Sequence, residues 1–89
     1  MLALTHTDLE EVRDWLLRTV RLVVDHPGEV AIDTLPGDDR TTFRIKVNAS
    51  DRGKVIGRQG RTSQSLRVLA GAMGKKFDRR FIIEIDEEE

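Results

Sequence analysis

The chain is expected to fold as an α+β domain, with a three-stranded mixed sheet and helices on one face, in the order α-β-β-α-α-β. Three observations lead there. Leu9, Val12, Leu16, Val20 and Val23 recur at helical spacing, with Leu17 and Val24 widening the stripe. Residues 29–35 read as a strand, and residues 41–47 alternate Phe43, Ile45 and Val47 with Thr42, Arg44 and Lys46. A last apolar run, F-I-I-E-I at 81–85, follows a long stretch of helix-forming sequence. The first two strands then form a hairpin. The second and third are joined through helices, and a right-handed crossover makes them parallel, which puts the second strand at the centre.

The first helix has a start signal in Thr7-Asp8-Leu9-Glu10, a capping box with Glu10 reaching back. Trp15 falls at the edge of the stripe, as a partly buried residue. Pro27-Gly28 ends the helical pattern, and His26 before the proline is pushed out of helical space. Pro36-Gly37-Asp38-Asp39 makes the hairpin turn. Alternation over 41–47 means one buried and one wet face. Asn48-Ala49-Ser50-Asp51 is a loop and N-cap region, followed by a short helix over residues 52–56. A longer helix runs from Arg61 to about Met73 with Leu66, Leu69, Ala70 and Met73 on one face, and Gly71 and Gly74 weaken its end. Residues 75–80 form a basic loop, and 86–89 an acidic tail expected to fray.

At 89 residues the chain is read as one domain over residues 1–89. It has no cysteine, hence no disulfide framework and no thiolate zinc site. The N-terminal residues show no signal peptide or membrane span, and a cytoplasmic location is expected. The net charge of −1 hides a strong asymmetry. Residues 51–80 hold nine basic residues against Asp51 and Asp78, a net +7, while the remainder holds six basic and fourteen acidic residues, a net −8.

The basic part contains R-G-K-V-I-G-R-Q-G-R-T-S-Q-S-L-R-V-L, residues 52–69. In Gly57-Arg58-Gln59-Gly60 two glycines permit turns that other residues avoid. Arg58 and Gln59 at the tip are donors suited to phosphate or sugar oxygens. A helix beginning just after Gly60 would aim unpaired N–H groups at an anion, and Lys54, Arg58 and Arg61 add full charge. These residues describe a loop that holds a sugar–phosphate backbone.

The string V-I-G-R-Q-G-R-T resembles the core motif of the KH domain, whose GXXG loop clamps about four nucleotides of single-stranded nucleic acid. The α-β-β-α-α-β order matches the type II, prokaryotic arrangement, and the likeness covers nearly the whole chain. It looks most like the small bacterial single-KH-domain proteins of the KhpA family. The resemblance implies non-catalytic binding of single-stranded RNA, as an RNA chaperone or post-transcriptional regulator, with no cofactor. Residues 57–60 would be the clamp. Val55 and Ile56 would end the helix before it, and Ile56 would floor the groove beneath the bases. Lys54, Arg58, Gln59 and Arg61 would hold phosphates, with Arg67 on the same helix as Arg61. Lys75 and Lys76, in the 75–80 loop, would join the last strand on the far side of the groove. Gln59 departs from the family, where Lys is common, and removes one charge. With no aromatic residue at the loop, stacking on rings should be minor, and affinity on the order of micromolar or poorer is expected for one module.

The family also implies pairing, as a homodimer or with a Jag-type KH-containing RNA-binding protein, KhpB. A protein-interaction adaptor acting mainly through such dimers is the alternative function. Other chemistry fits poorly. A P-loop needs G-x-x-x-x-G-K-[ST], whereas six residues separate Gly53 from Gly60 and Arg61-Thr62 stands in place of Lys-Ser/Thr. His6 and His26 lack ligand-spaced carboxylates and read as surface residues, and Ser63 and Ser65 have no base in a recognisable motif.

Overall fold

All six expected elements occur, in the expected order, in a computed structural model of the chain that describes residues 3–87. They are α1 (His6–Arg21), β1 (Ala31–Pro36), β2 (Arg40–Lys46), α2 (Arg52–Ile56), α3 (Arg61–Lys75) and β3 (Arg80–Ile85), with single 3-10 turns at Pro27–Glu29 and Ala49–Asp51 and a tight non-helical turn at Arg58–Gly60. The sheet order is β1-β2-β3. β1 runs antiparallel to β2 with Ile32 opposite Ile45, and β2 runs parallel to β3 with Phe43 opposite Ile83. The fold is thus α+β, in the type II KH arrangement.

α1 starts two residues earlier than its sequence signal. Thr5, not Thr7, is the N-cap: its side chain accepts from Asp8 N–H at 3.1 Å, and the Asp8 carboxylate accepts from Thr5 N–H at 3.0 Å. Both threonines satisfy the box pattern. Only Thr5 is preceded by an apolar residue, Leu4, with Leu9 at the matching fourth helical position, and both pack against the core. At the other end α1 stops at Arg21, so the stripe does not continue through Val23. Val23 is exposed, and Val24, in the following turn, is buried instead.

The core joins Val12, Leu16 and Val20 of α1, Ile32, Phe43, Ile45, Phe81 and Ile83 of the sheet, and Val55, Leu66 and Ala70. Phe43 and Phe81 meet edge to face with centroids 5.4 Å apart. On α3 the inward face is Ser63, Leu66, Ala70 and Gly74, whereas Leu69, expected inside, is about half exposed. The helix has turned that far because Gly74 lies against the next strand: a Cβ there would come within 2.4 Å of Arg79 O. Trp15 is partly buried against the core, as expected.

The open face of the sheet carries paired charges. Lys46 reaches Asp33 at 3.0 Å and Arg44 reaches Glu84 at 3.3 Å. Asp86, expected in a frayed tail, donates its N–H to Ile45 O at 2.9 Å and extends the parallel ladder. Glu88 and Glu89 of that tail lie outside the described residues.

Candidate nucleic-acid interface

The chain passes from α2 to α3 in four residues, and three of them have positive φ. Gly57 (φ 81°, ψ 170°) ends α2, Gln59 (φ 57°, ψ 27°) is left-handed, and Gly60 (φ 73°, ψ 13°) is the residue from which α3 starts. Two short bonds set the turn: Gly57 N–H donates to Gly53 O at 2.8 Å, and Gly60 N–H to Gly57 O at 3.1 Å. Ser63 Oγ donates to Gly60 O at 3.1 Å and ties the turn to the first coil of α3. Gly57 is required twice over. Its backbone conformation belongs to glycine, and a Cβ would lie 2.3 Å from Thr62 Oγ1 and 2.8 Å from Thr62 N. Gly60 needs only its left-handed φ, since the nearest atom to a Cβ is Ser63 Oγ at 4.0 Å.

The tip of this turn points to solvent. Arg58 and Gln59 are exposed. Among the described residues no hydrogen bond or ion pair engages the Arg58 guanidinium. Arg61 donates to Gln59 Oε1 at 3.2 Å, a neutral partner that leaves its charge uncompensated. The geometry therefore brings together an unpaired guanidinium, a second cation one turn on, and the N-terminus of a fifteen-residue helix.

The elements behind the turn hold it in place. Val55 is fully buried and anchors α2 in the core rather than facing a ligand, while Ile56 beside it is partly exposed. Lys54 is exposed but paired, with Nζ 3.2 Å from Asp25 Oδ2. Asp51 does not cap α2 with its side chain. Its buried carboxylate turns back instead to the segment after α1, accepting Asp25 N–H at 3.2 Å and His26 N–H at 3.0 Å, with His26 Nδ1 at 2.9 Å. The bond to Asp51 raises the His26 pKa above its ordinary value; desolvation works against this, and Asp51, Glu29 and Asp25 add charge in its favour. Burial would raise Asp51, but the His26 contact and the two backbone N–H groups together lower it. His26 and Asp51 were invisible as a pair in the sequence: they lie 25 positions apart and neither sits in a recognisable motif. Asn48, within the expected capping region, does cap, accepting Ser50 N–H at 2.9 Å.

The remaining basic residues lie elsewhere. Arg67 is exposed near the middle of α3. Lys75 and Lys76 are at its far end, and a fifteen-residue helix is about 22 Å long. Lys76 sits 5.4 Å above the Phe77 ring. It borders a shallow depression of about 260 Å³ shared with Asp8, Glu11, Trp15 and Met73, so its neighbours are the acidic start of α1 rather than the turn. Arg79 is consumed structurally, donating to Asp38 O at 2.6 Å and Gly37 O at 3.3 Å across the hairpin turn. The structure thus gathers residues 54–61 into one site and leaves Lys75 and Lys76 at a distance. Among the described residues no cluster of three or more His, Asp or Glu is placed to hold a metal, and no helix is long and apolar enough to cross a membrane.

Comparison with known proteins gives a consistent result. A family model described as the KH domain of KhpA/KhpB matches residues 13–85. A Listeria monocytogenes protein named RNA-binding protein KhpA is 37% identical over 76 residues, covering 85% of this chain and 100% of the relative. Proteins of the same name from Bacillus subtilis and Aquifex aeolicus are 33% and 30% identical over 76 and 77 residues, covering 94% and 98% of those relatives. No solved structure matches the chain.

Proposed function

The chain belongs to the KhpA/KhpB KH-domain family, and from that premise we propose that it binds single-stranded RNA without catalysis, through the GXXG turn of residues 57–60, as an RNA chaperone or post-transcriptional regulator in the cytoplasm. The observation that carries the reading is the turn itself: three positive-φ residues present Arg58 and Gln59 to solvent at the mouth of α3. A sugar–phosphate strand crossing there meets the Arg58 and Arg61 guanidinium groups and the helix terminus, contacts that position a strand without reading its sequence. Lys54 joins them once a phosphate replaces Asp25. Ile56, partly exposed at the end of α2, offers apolar surface to a base. Gln59 supplies hydrogen bonds but no charge, which keeps affinity modest. Arg67 lies farther along the same helix, and Lys75 and Lys76 reach only a strand that runs its full length.

The experiment is the Arg58→Asp, Gln59→Asp double variant, which puts two negative charges where phosphate should sit and keeps both glycines. Exposed substitutions of this kind change stability by about 0.5 kcal/mol or less. Loss of RNA binding with an unchanged circular dichroism spectrum and melting midpoint is expected. Undiminished affinity would falsify the clamp.

A second reading, an adaptor working through homodimers or a KhpB-type partner, is favoured by one observation. α3 exposes Val68 (61%) and Leu69 (49%) side by side on its outer surface. Apolar neighbours exposed on a helix suit a protein contact. A Val68→Glu, Leu69→Glu variant is expected to shift the mass measured by light scattering from dimer to monomer. A wild-type protein that is monomeric at every concentration tested would remove the homodimer form of this reading.

A further inference from the structure

Resting on the RNA-binding reading above, we propose that Asp51 and His26 are positioning residues for the phosphate-binding turn, and that the clasp between them makes the pose of residues 57–60 depend on pH. α2 has five residues, too few to stand alone as a helix in water. Its placement, and that of the turn it delivers, comes from its anchors. Val55 holds its middle in the core and Gly57 closes its end. Its start is fixed by Asp51, whose side chain makes no capping hydrogen bond to α2 and turns to the Asp25-His26 turn instead.

That turn grips α2 at two points. Two backbone N–H groups and one imidazole converge on the Asp51 carboxylate, and the Asp25 carboxylate holds Lys54 one turn further on at 3.2 Å. Lys54 is one of the groups assigned to phosphate, so the same two residues set both the origin of the turn and the resting place of one of its cations. The charged groups facing His26 are Asp51 from the segment before α2, Asp25 in its own turn, and Glu29, which is itself held by Asn48 Nδ2 at 3.0 and 3.1 Å. Lys54 of α2 faces the same turn through Asp25. The three acids favour the imidazolium. A charged imidazole makes a charge-assisted bond to Asp51, and a neutral one leaves an ordinary hydrogen bond. The clasp is tight at low pH and loosens as pH rises through the titration of His26.

The test uses His26→Gln, whose amide can donate to Asp51 but does not titrate. In the free wild-type protein the amide resonances of residues 58–60 should move with the midpoint of the His26 ring across about pH 5.5 to 8.5. In His26→Gln they should stay still. A single-stranded RNA of about eight nucleotides, followed by fluorescence anisotropy, should bind the wild type severalfold more weakly at the top of that range than at the bottom. It should bind His26→Gln with little pH dependence. The salt slope should be the same for both proteins, because a positioning residue neutralises no phosphate. A slope shallower by about 0.7 in the variant would mean that His26 touches phosphate itself, and turn amides that ignore the His26 titration would overturn the clasp. Absence of RNA binding at every pH would sink the RNA reading alone, since the resonance titration is made without RNA.

Discussion

Gly57 and Gly60 stand at matching places in the turn, yet replacing each with alanine should have very different costs. At Gly57 the backbone lies at φ 81°, ψ 170°, a region nearly confined to glycine and costing another residue about 1–3 kcal/mol. A Cβ there also overlaps Thr62, at 2.3 Å from Oγ1, 2.7 Å from Cβ and 2.8 Å from the backbone N. The hydroxyl can rotate away but the backbone nitrogen of α3 cannot, and forcing such a contact adds about 1–3 kcal/mol. At Gly60 the left-handed conformation costs about 1–2 kcal/mol, there is no overlap, and the lost freedom of the unfolded chain returns about 0.4–1 kcal/mol. With the same return from the unfolded chain, Gly57→Ala should therefore destabilise by about 2–5 kcal/mol and Gly60→Ala by about 1 kcal/mol. Urea unfolding separates them. With a slope of about 1.5 kcal/mol per molar, the midpoint falls by about 1–3 M for Gly57→Ala and by less than about 1 M for Gly60→Ala, with the slope itself unchanged. Equal shifts, or a larger one for Gly60→Ala, would refute the reasoning from Thr62.

If Lys54, Arg58 and Arg61 each neutralise a phosphate, log affinity should fall against log salt with a slope of about −2, and Arg58→Ala should make it shallower by about 0.7. Ile56→Ala should weaken binding and leave the slope alone, so a changed slope in that variant with none in Arg58→Ala would reverse their roles. Stability should depend on pH through the clasp. The raised pKa of His26 gives stabilisation fully present below 6.5 and lost as pH rises through the higher folded value. The lowered pKa of Asp51 gives stabilisation present above 3.8 and lost as pH falls through the lower folded value. Thermal melts should thus peak between those limits, and a His26→Gln protein that still lost stability above pH 6.5 as the wild type does would contradict the assignment.

The parts of the fold legible in the sequence were those set by local periodicity and by residues with few conformational choices. The alternation of Phe43 and Ile45 gave the central strand, and Gly57 and Gly60 gave the turn, because glycine holds positive φ at the least cost. What tertiary packing decides was not legible. Thr5 and Thr7 both fit a capping box, and Leu4 packing beside Leu9 chose between them. Leu69 fits the helical stripe but is rotated outward, because the close approach of Gly74 to Arg79 fixes the rotation of α3. Lys54 reads as a free cation until Asp25, 29 residues away, is folded against it. The pairing of Asp51 with His26 is illegible for the same reason: a carboxylate just before a short helix predicts a cap, and only the fold brings another turn close enough to take it.

Charge placement explains how a chain of net charge −1 could present the proposed phosphate site. At about 0.15 M salt, exposed charges farther apart than about 8 Å are largely screened from one another, so the acids of α1 would matter less to a bound strand than its immediate neighbours. Within the turn those neighbours are uneven. Arg58 is unpaired and Arg61 rests on a neutral amide, but Lys54 is already compensated by Asp25. A phosphate bound there would gain the full attraction of two cations and would have to displace a carboxylate to gain the third. On the proposed reading the site would hold a strand locally without a strong long-range field, and one module gripping about four nucleotides would be a weak binder. Exposed Val68 and Leu69 lie on the same helix that opens at the turn. A partner held there would bring a second clamp to the same RNA at an effective concentration far above that of free protein, so pairing would raise affinity without any change in the turn itself.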